Sequence, residues 1–84
     1  MKSIIEDNVT LGLGVSIGHG CTIKENATIL DGATLVHHVI VGSNTTIGKN
    51  VFICSDTTIG NNCLIWYNIN TPTVIPDNTR LGTS

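Results

Sequence analysis

An aliphatic residue recurs every six positions along almost the whole of this chain. The series runs Ile5, Leu11, Ile17, Ile23, Ile29, Leu35, Val41, Ile47, Ile53, Ile59 and Ile65. A second series follows each member by four positions: Val9, Val15, Cys21, Ala27, Ala33, Val39, Thr45, Val51, Thr57, Cys63 and Ile69. An α-helix repeats at 3.6 residues and a half-buried strand at 2, so neither sustains this pattern. A period of six with a large and a smaller inward position specifies a parallel β-helix built of hexapeptide repeats.

Each hexad reads mechanically. Position one points inward, and position two is often glycine (Gly12, Gly18, Gly42, Gly48, Gly60). Positions three and four form a corner. Position four is Asn8, Gly14, Gly20, Asn26, Gly32, His38, Asn44, Asn50, Asp56, Asn62 or Asn68, all residue types that tolerate positive φ. Position five is small and inward. Position six is mostly threonine, a β-branched residue suited to a half-exposed strand. Three hexads close a triangular coil of 18 residues, and coils stack about 4.8 Å apart. The chain is therefore expected to be all-β, one domain over 1–84, with four to five coils. Residues 71–84 form a closing segment that keeps the spacing loosely, with Pro72 and Pro76 interrupting strand bonding.

Composition fits a narrow prism: 40% of residues are hydrophobic but only 4% aromatic. Both ends of such a prism expose strand edges, so self-association is expected. A net charge of −2 with four basic residues argues against a nucleic-acid partner. No apolar run approaches the roughly 20 residues of a membrane span, and a secretory signal ahead of the first repeat is not expected. Cys21 and Cys63 fall at inward positions and Cys54 at position two. None is a whole number of coils from another, so free buried thiols and a reducing, cytoplasmic setting are expected. No metal-type cysteine spacing is present.

The chemistry-bearing candidates are His19, His37 and His38. His19 and His37 lie 18 apart at position three and should stack on one corner. Two imidazoles fall short of a metal site, which needs three or four ligands. Val36 and Cys54 share position two on successive coils, and Ile40 and Phe52 flank them where threonine is usual. Such an apolar patch marks an interface or a groove. A histidine at its rim suits a general base in a cleft between subunits. Equally, His38 reads as a turn residue, His37 as its exposed neighbour and the patch as a subunit contact.

Segment 35–42, LVHHVIVG, resembles the active-site coil of hexapeptide-repeat acyltransferases. The pattern is similar to that of the sialic-acid O-acetyltransferase and bacillosamine N-acetyltransferase group, and to that of UDP-N-acetylglucosamine acyltransferase. The tail TVIPDNTRLG is similar to the stretch that closes many acetyltransferase prisms. The resemblance implies a left-handed coil, where the general chirality rule for crossovers would favour the right hand, and a homotrimer. It also implies acetyl transfer from acetyl-CoA to a hydroxyl or amine of a small, sugar-like acceptor, with His37 as the base and a backbone N–H stabilising the oxyanion. Val36, His38, Ile40 and Phe52 would line the acceptor cleft; Cys54, Trp66 and Tyr67 would lie along the cofactor lane.

The chain departs from that family in three places. His38 stands where the family has an acidic residue after the base. Trp66 and Tyr67 stand in a run where the family has small residues. Against the family pattern, the sugar-binding domain or helix that serves acceptor recognition is not expected within these residues. A second reading therefore stands beside the first: a non-catalytic trimeric β-helix, a structural or assembly module of a larger complex or a viral appendage. Its regular coils lack the loops on which binding residues usually sit. A γ-type carbonic anhydrase also uses this fold, but the spacing of His19, His37 and His38 does not match its ligand pattern.

Overall fold

The computed structural model describes residues 2–82. Its strands are all two residues long: β1 (Ile4–Ile5), β2 (Thr10–Leu11), β3 (Ser16–Ile17), β4 (Thr22–Ile23), β5 (Thr28–Ile29), β6 (Thr34–Leu35), β7 (Ile40–Val41), β8 (Thr46–Ile47), β9 (Phe52–Ile53), β10 (Thr58–Ile59), β11 (Leu64–Ile65), β12 (Val74–Ile75) and β13 (Arg80–Leu81). Each consists of positions six and one of a hexad. Every third strand pairs in parallel, giving three sheets: β1-β4-β7-β10-β12, β2-β5-β8-β11-β13 and β3-β6-β9. This is a β-solenoid of about four turns that matches a left-handed parallel β-helix.

The corners form where expected. Asn8, Asn26, His38, Asn44, Asn50, Asp56 and Asn62 have φ between 59° and 65°, and Gly14, Gly20 and Gly32 between 69° and 73°. Each of these residues is at position four. A left-handed residue there reverses the chain without a longer loop, which is why Asn and Gly dominate.

The regular period breaks at one place. Through Ile65, stacked residues are 18 apart, as in Ile23↔Val41 and Leu11↔Ile29. Beyond it the offset falls to 16, as in Thr58↔Val74, Leu64↔Arg80 and the bridge Ile53↔Ile69. The corner over 66–68 is two residues shorter than its counterparts. Asn68 consequently does not adopt positive φ, against expectation, and Asn78 and Gly82 do. Instead the Asn68 side chain accepts the Phe52 N–H at 2.9 Å. Ile69, expected in the smaller series, stands over Ile53 in the large series, which Ile75 and Leu81 continue.

The prolines flank β12 rather than interrupt it. Gly60, the register equivalent of Pro76, donates its N–H to the Ile75 carbonyl on the next coil. No described coil lies beyond Pro76, so a residue without an N–H forfeits no bond there.

The core is the two inward series. Ile23, Ile29, Leu35, Val41, Ile47, Ile53, Ile59 and Ile65 are 0–1% exposed. The series does not stay buried to its start: Ile5 is 47% and Leu11 43% exposed, because among the described residues the first coil has a neighbour on one side only. Polar atoms inside the corners are satisfied along the stack. The Thr45 hydroxyl donates to the Gly60 carbonyl at 2.7 Å and accepts the Cys63 N–H at 3.1 Å. Ser3 does the same with the Gly18 carbonyl and the Cys21 N–H. The thiols continue both spines, Cys21 donating to the Val36 carbonyl and Cys63 to that of Pro76. Among the described residues no buried side-chain nitrogen or oxygen lacks a partner, and no helix is long and apolar enough to cross a membrane.

Candidate functional site

The candidate site sits on the edge between the β3-β6-β9 sheet and the β1-β4-β7-β10-β12 sheet. The 18-residue offset places His19 and His37 one above the other. Their rings stack with centroids 4.9 Å apart and planes 13° from parallel. Both side chains are exposed. His38, the left-handed corner residue (φ 59°), is exposed beside them, and its N–H donates to the His19 carbonyl at 2.8 Å.

His37 is held by a bond that periodicity does not reveal. The His19 N–H donates to its Nδ1 at 2.9 Å. A neutral imidazole has one donor and one acceptor nitrogen. With Nδ1 accepting, the proton resides on Nε2, and the ring has no second lone pair to offer a substrate. Gly18 gives the ring its room: a Cβ there would come 2.6 Å from Nδ1. The same bond recurs at all three corners. Asp31 accepts the Leu13 N–H at 2.9 Å, Asn61 that of Ser43 at 2.8 Å, and Asp77 that of Asn61 at 2.8 Å. Asp31, His37, Asn61 and Asp77 all occupy position three. The signal that would have found this role is an acceptor side chain at that position, whatever its chemistry.

The apolar residues are only partly brought together. Val36 and Cys54 stack at position two, half-buried, on the side of β6 and β9. Phe52, 38% exposed, lies two residues before Cys54 on that side. Ile40 begins β7, beyond the corner, and so belongs to a different sheet. The patch therefore wraps an edge and does not flank one face as the sequence suggested. The Cys54 Sγ is 3.4 Å from the Thr57 hydroxyl, and the three cysteines are free.

Trp66 and Tyr67 stand on another edge, at the shortened corner after β11. Each covers a glycine. The Trp66 ring lies where a Cβ on Gly48 would collide with it, and Tyr67 does the same to Gly82. Trp66 is half-buried by this packing and Tyr67 stays 63% exposed. Within one chain, then, the aromatic pair is not beside His37. Among the described residues, no three His, Cys, Asp or Glu side chains gather in a way that would hold a metal ion.

A profile of the GMPPB C-terminal domain family matches residues 1–82. No curated protein matches the sequence. Among solved structures, the acetyltransferase domain of PglB from Neisseria gonorrhoeae FA1090 is similar at 14% identity, with a TM-score of 0.48 over 89% of this chain and 54% of that one. The chain thus spans about half the length of that structure. The family match covers nearly every residue, and the coils are of the hexapeptide-repeat type. The chain belongs to the GMPPB C-terminal domain family.

Proposed function

We propose that this chain is a non-catalytic assembly module: a β-helical prism of the acyltransferase type that holds copies of itself, or a larger protein, together. One observation carries this reading. The lone pair that a general base needs is committed on His37 to the His19 N–H, a stacking role that Asp31, Asn61 and Asp77 fill at other corners. The family description supports it, since a C-terminal domain is one part of a longer protein. Self-association through the edge bearing Phe52, Val36 and Cys54, as a homotrimer, is part of the proposal. So is a cytoplasmic location, supported by three free thiols.

A second reading is a minimal acetyltransferase, favoured by an exposed His37 next to Val36 and Cys54 within LVHHVIVG. His37 would take a proton from a hydroxyl or amine of a sugar-like acceptor as it attacks acetyl-CoA. His38, Ile40 and Phe52 would line the cleft. Trp66 and Tyr67, on another edge, would reach the cofactor only from a neighbouring chain. This chemistry requires the ring to leave the His19 N–H or to reverse its tautomer.

A titration with acetyl-CoA to millimolar concentration, read by thermal shift on native protein and on His37→Asn, separates the two. Asparagine keeps an acceptor, as Asn61 does, but cannot serve as a base. The module reading expects no saturable shift and equal melting of both proteins. A saturable rise, about 2.7 kcal/mol at 100 times Kd, with acetyl transfer lost in His37→Asn, would overturn it.

A further inference from the structure

We draw no further inference here: the strongest candidate, the uncovered apolar end of the prism at the first coil, where Ile4, Ile5, Leu11 and Leu13 are exposed, carries nothing because no feature of the structure shows what covers it.

Discussion

At the residue scale the corners decide the fold. Position four must enter the left-handed region, and Asn or Gly does so at least cost. Asn50 (φ 59°) and Asn68 (not positive) occupy the same place in the hexad pattern but different backbone states. This gives a paired prediction. Asn50→Val should cost about 1–2 kcal/mol by forcing a β-branched residue to positive φ, whereas Asn50→Gly should be close to neutral. Asn68→Gly should instead destabilise by about 1 kcal/mol, because the Phe52 N–H loses its acceptor and no left-handed geometry rewards glycine. Urea denaturation of the three variants checks this; a neutral Asn50→Val would refute the corner assignment. The left-handed residues were legible because positive φ is a local demand that only a few side chains meet. The bond to His37 was not legible, since its donor lies a full coil away. Periodicity places His37 at the corner, but that its Nδ1 faces a backbone amide emerges only from the stacked coils.

At the element scale each two-residue strand is too short to be stable alone and exists only in its stack. Between strands, a buried hydroxyl at position five can satisfy a corner carbonyl. Thr45 is fully buried and joins the Gly60 carbonyl to the Cys63 N–H. Thr45→Val keeps the shape and removes both bonds, so it should cost about 1–3 kcal/mol. Thr45→Ser keeps the hydroxyl and should lose only the methyl contact, about 1 kcal/mol. A Thr45→Val variant as stable as the native protein, measured by chemical denaturation, would mean that the spine contributes nothing beyond packing. The strands and their faces were readable because one aliphatic per hexad fixes the register. The slip after β11 was hidden because Ile69 also satisfies the spacing of the smaller series. The residues that follow, Ile75 and Leu81, keep a period of six in a shifted phase. Only pairing across coils, Ile53 with Ile69, separates the two alignments.

At the scale of the whole molecule, a solenoid is a sum of coil-to-coil contacts, so the cost of a substitution depends on how many neighbours its coil has. Ile47, within the stack, is fully buried, while Ile5 in the first coil is 47% exposed. Ile47→Asp places an unpaired charge between two coils and should abolish folding at 25 °C. Ile5→Asp can keep its carboxylate hydrated and should leave a folded protein with a lowered Tm. Circular dichroism melts distinguish the two, and similar losses would contradict an uncovered first coil.

The same dependence on neighbours bears on assembly. So small a domain buries a limited core, and a prism with flat sides gains most by packing them against other copies. Phe52 is the large ring exposed on the side of the candidate edge. It stands at a strand position where the aligned residue one coil earlier is Thr34, which shows that the fold does not require a ring there. If the ring serves a contact between copies, Phe52→Asp should dissociate the assembly into folded monomers. The melting temperature of the native protein should also rise with concentration, as linkage requires, while that of the variant should not. Sedimentation velocity over a hundredfold concentration range reads both. Native protein that stays monomeric throughout would sink the trimer proposal. An assembly that survives Phe52→Asp would place the contact on another face of the prism, leaving the exposed first coil as the next surface to substitute.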